Sequence, residues 1–181
     1  MSRNDQKIGY QPSVSRYRNK GALKRFVLKL ALIAGILYIG FVYVFGVHIH
    51  SGNRMYPFVM DGDLVILYRL DTYRMNDVVL YRNPVTGKAD ISRVAAIGEN
   101  EINKTDTGEL TINGYTVNDN AFYPTEALEE SGIQFPYQMN MNGYFLLDDN
   151  RPQGNDSRTF GEVKRSDILG KVIYVLRRRG I

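Results

Sequence analysis

Apolar residues are gathered into one long run near the start of the chain and then recur only in short ones. From Leu30 to Val47 the sequence reads LALIAGILYIGFVYVFGV, without a charge. A helix needs roughly 20 apolar residues to cross the hydrocarbon core of a bilayer. Adding Phe26, Val27 and Leu28, with the Lys29 ammonium reaching back toward the interface, supplies that length. One transmembrane helix over 26–47 is therefore expected, with Tyr38, Tyr43 and Phe45 suited to its outer end. A cleavable signal peptide is the rival reading. Against it, the run is long, and His48-Ile49-His50 follows where a small-residue cleavage site would stand.

Beyond residue 48 the pattern changes to short β-branched and aromatic runs. These are Leu64–Tyr68, Val78–Tyr81, Ile91–Ile97, Leu110–Ile112, Tyr144–Leu147 and Val172–Leu176. Turn formers separate them: Asp61-Gly62-Asp63, Asn83-Pro84, Asn113-Gly114 and Asn142-Gly143. Only Thr125 to Ser131 reads as a helical turn. Many short strands joined by tight turns predict a mainly β barrel or sandwich, not a parallel α/β sheet. Residues 100–142 are more polar and read as an excursion from that core.

Composition sharpens the picture at the N-terminus. Of the 181 residues, those from 1 to 29 hold eight basic side chains against Asp5 alone, a local charge of +7. The rest of the chain holds 15 basic and 18 acidic residues. Basicity confined to the flank of an apolar run marks a cytoplasmic membrane flank, not a nucleic-acid surface. Residues 1–25 are thus expected to be a cytoplasmic tail, and 48–181 an extracytoplasmic domain. No nucleic-acid partner is expected. Cysteine is absent, which excludes disulfides, thiol nucleophiles and thiolate metal sites. His48 and His50 share one side of an extended segment, but two histidines are thin for zinc, and no metal or cofactor is expected. The 13 tyrosines fit sugar or base stacking, yet equally β cores and membrane interfaces. Arg177-Arg178-Arg179 reads as a solvated tail or a contact for anionic polymer or lipid.

Four blocks carry a family resemblance, in order. The first is Ser51-Gly52-Asn53-Arg54-Met55-Tyr56-Pro57-Phe58. The second pairs Asp61-Gly62-Asp63-Leu64-Val65 with Asn76-Asp77-Val78-Val79-Leu80-Tyr81. The third is Ile91-Ser92-Arg93-Val94. The last is Leu147-Asp148-Asp149-Asn150-Arg151-Pro152-Gln153-Gly154-Asn155-Asp156-Ser157-Arg158, running on into Phe160-Gly161 and Gly170-Lys171-Val172. Over roughly 24–181 the chain resembles type I signal peptidases. Asn-Arg followed by Asp-Ser-Arg at that spacing is the specific element. The resemblance implies the signal-peptidase coiled β core with a small inserted excursion behind one membrane helix. It implies a substrate cleft served by Met55, Pro57, Val78, Val79, Leu80 and Tyr81. It also implies a structural role for Asp149, Asn150, Arg151, Asp156, Ser157 and Arg158.

The departures from that family matter as much. Its chemistry is a serine nucleophile deprotonated by a lysine of lowered pKa. Arg54 stands at the nucleophile position and has no proton to give up near neutral pH. Ser92 stands at the base position. Gly154 replaces the serine that orients the lysine, Asp148 replaces a glycine, and Phe58 replaces a threonine. The resemblance therefore implies a serine-peptidase scaffold without a competent catalytic residue. Arg54 is either a solvated loop arginine or a plug in the former cleft, paired with an acid such as Asp148. Ser92 assisted by Lys88 is the alternative dyad, and would make the chain an active signal peptidase. Ser51 reads as a loop serine. Degenerate members resemble accessory proteins of Gram-positive pilus operons. The expected partners are then membrane lipid and an exported or pilin-like polypeptide, with or without a sortase. A membrane-tethered binding module unrelated to pili is the other reading.

Overall fold

The computed structural model describes residues 20–117, 125–126 and 132–177. It divides into two units within the first helix, one ending at Ile39 and the other beginning at Gly40. Helix α1 spans Lys20–Val44, and its apolar side chains, from Leu23 to Val42, are exposed. It is long and apolar enough to be a membrane span or a signal sequence. The sequence reading ran this helix on to Val47. The helix instead stops at Val44, and Phe45–Val47 open a strand, because their backbones pair with Ile66–Tyr68. The segment Phe26–Val44 rises roughly 28 Å, so a crossing of the bilayer requires Phe26–Leu28 as well as the uncharged run.

The second unit is mainly β. Strands β1 (Phe45–Ile49), β2 (Leu64–Tyr68), β3 (Val78–Arg82), β4 (Ala89–Ile97), β9 (Gly143–Leu147), β10 (Val163–Lys164) and β11 (Ile168–Leu176) form a seven-stranded antiparallel sheet. Its order is β1-β2-β11-β3-β4-β9-β10. Register shifts in β11 between Val172 and Tyr174, and in β4 between Val94 and Ala96, break the regular pleat. Such bulges bend a sheet and increase its twist. The predicted strands all form; β11 starts earlier than expected, at Ile168, because Ile168 and Gly170 pair with β3.

The stretch 100–142 is a small sheet of its own. Strands β5 (Glu101–Lys104), β6 (Leu110–Ile112), β7 (Tyr115–Thr116) and β8 (Tyr137–Gln138) run in the order β7-β6-β5-β8. Asn113 (φ 49°) and Gly114 (φ 79°) join β6 to β7 in left-handed conformations, the requirement of a two-residue type I′ turn. Of the expected helical turn at 125–131, Thr125 and Glu126 are described, and Glu126 makes a bridge to Glu109; the remainder lies outside the described residues. The tail 1–19 and the Arg178-Arg179 end also lie outside them.

Alternating side chains of β2, β3 and β4 divide the core between two faces. Met55, Val59, Val65, Leu67, Val78, Leu80 and Ile91 pack on one. Tyr73, Val79, Tyr81, Val94 and Leu146 pack on the other. A third cluster, around Ile102, Leu110, Phe145 and Leu147, holds the small sheet to the large one. Each fully buried side chain of this size contributes about 1.5–3 kcal/mol.

Candidate functional site

Arg54 lies in the tight turns between β1 and β2. The turn is held from the far end of the sequence: Asn150 N–H donates to the Arg54 carbonyl at 2.8 Å, and Asn150 Nδ2 to the Asn53 carbonyl at 3.1 Å. Asn150 thus positions the loop through its backbone, whatever side chain it carries. The Arg54 guanidinium forms an ion pair with Asp90 on β4. Period-two alternation places Asp90 and Ser92 on one side of that strand. The sequence reading left Arg54 either solvated or paired with an acid such as Asp148; the structure pairs it with Asp90.

Asp148, directly after β9, is engaged elsewhere. It accepts a short hydrogen bond from the Ser92 hydroxyl and one from Asn155 N–H at 3.1 Å. The Tyr81 phenol oxygen lies 3.4 Å from Ser92 Oγ. Ser92 has no exposed surface, and Asp148 is 1% exposed. Burial, reinforced by the Asp156 carboxylate, pushes the Asp148 carboxyl up to about 7; burial also raises the Tyr81 phenol. Lys88, by contrast, is exposed, and it precedes β4. The structure does not bring it together with Ser92.

Gly154 follows a 3₁₀ turn, Arg151–Gln153, in extended backbone. A Cβ there would lie 2.7 Å from Arg158 Nη2 and 2.8 Å from Asp156 Oδ2. The glycine therefore leaves room that the Asp156–Arg158 pair has taken. That pair is fully buried. Arg158 Nε and Nη2 donate to the two Asp156 oxygens at 2.9 and 3.0 Å. Asp156 also accepts from Asp148 N–H at 3.0 Å and caps helix α2 (Ser157–Phe160) through Arg158 N–H. Arg158 Nη2 continues to the Arg151 carbonyl at 2.8 Å. Ser157 Oγ accepts from Leu146 N–H at 2.9 Å, and Arg151 Nη1 donates to Thr125 Oγ1 at 2.5 Å. Asp149 is chelated by Arg93, whose guanidinium lies over the Phe58 ring at 5.1 Å.

Of the six residues assigned to the cleft, only Pro57 is exposed. Met55, Val78, Val79, Leu80 and Tyr81 are buried, because β3 is flanked by β11 and β4 and presents its side chains to both core clusters. Two further residues stand near Arg54: Asp90, which the sequence reading passed over, and His50, which it weighed and set aside as a zinc ligand. Asp90 was legible from its place two residues before Ser92. His50 is 2% exposed, its Nε2 has no partner among the described residues, and burial lowers its pKa, partly offset by the Asp90 charge. Its burial follows from backbone pairing with Asp63 and Gly62, which no local pattern announces. Among the described residues, no group of three or more histidine, cysteine or carboxylate side chains is placed to hold a metal.

Chemically, the positions that could form a dyad hold a guanidinium neutralised by a carboxylate and a buried hydroxyl bonded to another carboxylate. A signal peptidase I from Enterococcus faecalis is similar in structure, with 23% identity, a TM-score of 0.45, and coverage of 56% of this chain and 97% of that one. The sequence pattern of the family described as signal peptidase, peptidase S26, matches residues 23–176. With most of its length matched, the chain belongs to the signal peptidase (peptidase S26) family.

Proposed function

We propose that this chain is a catalytically degenerate signal-peptidase-like protein that binds an exported polypeptide without cutting it. One observation carries the reading: the nucleophile position is a guanidinium paired with Asp90, while the Ser92 hydroxyl is buried against Asp148. A hydroxyl needs both a general base and access to the scissile carbonyl. Ser92 has a carboxylate neighbour but no access. The scaffold that positions the loop is kept, and β1 is an edge strand with one unpaired side. An edge strand binds an extended peptide by adding it to the sheet. The apolar helix anchors the protein, with the basic tail in the cytoplasm and the β domain outside. On the resemblance to accessory proteins of pilus operons, the bound polypeptide is pilin-like, and the protein assists sortase-built polymerisation.

The test is a signal-peptide cleavage assay with the full-length protein in detergent, alongside pilus immunoblots of a deletion strain. The expected results are no turnover above the blank and loss of high-molecular-weight pilus polymers. Turnover that disappears in Ser92→Ala would establish an active enzyme with an unusual dyad. Absence of turnover with pili intact would leave a binding module with another partner.

A further inference from the structure

The 13 tyrosines raised stacking as a use, and one of the most exposed stands at a cavity unrelated to the dyad positions. A cavity of about 410 Å³ lies between the β6–β7 hairpin and the loop before β3. Its lining includes Met75, Asn76, Asn100, Ile112, Asn113 and Tyr115, and among the described residues it holds no Asp, Glu, Lys, Arg or His. Pockets of this size accommodate small ligands. Tyr115 is 80% exposed and Met75 is 57% exposed, so two apolar faces stand open to solvent at its edge.

Three asparagines stand around it, two of them with hydrogen-bonded carboxamides. Asn76 and Asn113 are the two non-glycine residues with left-handed backbones among the described residues. Tight turns account for those backbones; the convergence of both side chains on one cavity is additional. Asn76 is pinned by its N–H to the Val94 carbonyl at 2.8 Å and by its own carbonyl, which accepts from Arg93 at 3.0 Å. Its side-chain amide has no hydrogen-bond partner among the described residues. Asn113 Nδ2 donates to Asn100 Oδ1 at 2.5 Å, Asn113 Oδ1 accepts from Glu101 N–H at 2.9 Å, and Asn100 Nδ2 donates to the Ile97 carbonyl at 2.6 Å. Each of these two amides keeps one N–H unused.

The described lining therefore suits an uncharged occupant. It must offer both donors and acceptors to amides, and present an apolar face to Tyr115. The nearby Arg93 guanidinium is already paired with Asp149, so an anion is not favoured, and an aliphatic chain would leave the amides unpaired. An acetamido group is complementary to a carboxamide, its methyl suits the Ile112 side, and the C–H face of a pyranose stacks on an aromatic ring. We infer that this cavity binds an N-acetylated hexosamine unit of a neutral glycan. The site is independent of the degenerate dyad, and its partner is not the polypeptide proposed above.

The test is ligand-observed saturation-transfer NMR on the full-length protein in detergent, with the β-1,4-linked N-acetylglucosamine trimer as probe and maltotriose as control. Saturable transfer strongest at the acetyl methyl is expected, with little transfer to maltotriose. Tyr115→Ala is expected to weaken binding roughly tenfold, the magnitude of one lost stacking contact. Asn76→Gly keeps the left-handed backbone while deleting the amide, and is expected to weaken it several-fold. Tyr174→Ala, an exposed tyrosine elsewhere, is expected to leave it unchanged. Thermal melts of each variant confirm that the fold is intact. No saturable transfer, equal transfer to maltotriose, or binding indifferent to Tyr115→Ala would each overturn the assignment.

Discussion

Two ion pairs near the former catalytic positions join an arginine to an aspartate, and they do different work. Asp156 and Arg158 are 0% and 2% exposed, and both are tied into backbone: the Asp148 N–H, the cap of α2, and the Arg151 carbonyl. Arg54 and Asp90 are 27% and 8% exposed at their side chains, and the Arg54 guanidinium reaches Asp90 from a surface turn. The first pair belongs to the blocks that keep the family pattern. The second joins the residue at the family's nucleophile position to β4. The contrast teaches that the buried pair is built into the backbone around the loop, while the partly exposed pair rests on two side chains. The family pattern at 149–158 therefore reports on architecture.

The strongest way to break that comparison is to cut the buried pair. Arg158→Ala leaves an uncompensated carboxylate inside the protein and removes one of the two donors to the Arg151 carbonyl. Removing one partner of such a pair costs about 3–5 kcal/mol. The detergent-solubilised variant is expected to melt well below the parent, or to fail to accumulate. A melting temperature within a few degrees of the parent would show that the pair is not architectural.

The next effect depends on pH. Asp148 is pushed up to about 7 in the folded chain, from an ordinary value of 3.8. Between those values the folded state holds the extra proton, so stability falls as pH rises from about 4 to about 7 and levels off above. Asp148→Asn does not titrate and lacks that slope. At pH 8 it is expected to be more stable than the parent by roughly 4 kcal/mol, at about 1.4 kcal/mol for each pH unit between the two values. At pH 4 the advantage is expected to vanish. Melting curves at the two pH values check this; parallel pH profiles would show that Asp148 is ionised throughout.

Much of this arrangement was legible from residue order alone. The strands β2, β3, β4, β6 and β9 follow from β-branched runs between turn formers, and Asn113-Gly114 announces its hairpin. The substitutions at positions 54, 92 and 154 are visible wherever the blocks are. Strands β5, β7, β8 and β10 were not legible, since two of them are polar and three are only two residues long. β8 and β10 exist because partners remote in sequence supply the other half of each ladder, whereas β5 and β7 are completed by β6 beside them. Which acid pairs with Arg54 could not be read from residue order, because the acid stands on a strand remote in sequence from the turn. Asp148 is a plausible acid by family position, but its oxygens are taken by Ser92 and Asn155, whereas Asp90 stands on the strand that faces the turn.

The partly exposed pair is expected to matter less for stability. Arg54→Ala costs about 1 kcal/mol, toward the upper end for an ion pair of this exposure. Its more specific consequence falls on His50, whose pKa is held down by burial and further by the Arg54 charge, while the Asp90 charge raises it. Without Arg54 the His50 pKa is expected to rise, and an NMR titration of the imidazole reads that shift directly. An unmoved His50 would place Arg54 outside the electrostatic reach of this cluster.

The smallest expected effect is the most informative about lost catalysis. Arg54→Ser combined with Ser92→Lys restores the two family residues but is expected to give no signal-peptide cleavage. A lysine at position 92 would meet the Asp148 carboxylate that Ser92 now contacts, and an adjacent negative charge favours the protonated ammonium. A protonated lysine cannot serve as the base. Adding Asp148→Gly removes that carboxylate and is expected to bring cleavage just above the blank. Gly154→Ser, the fourth family residue, is expected to add little, because its Cβ would press on the buried Asp156–Arg158 pair. Cleavage by the double variant alone would show that Asp148 is no obstacle, and that two substitutions, not a rebuilt cluster, separate this chain from an active peptidase.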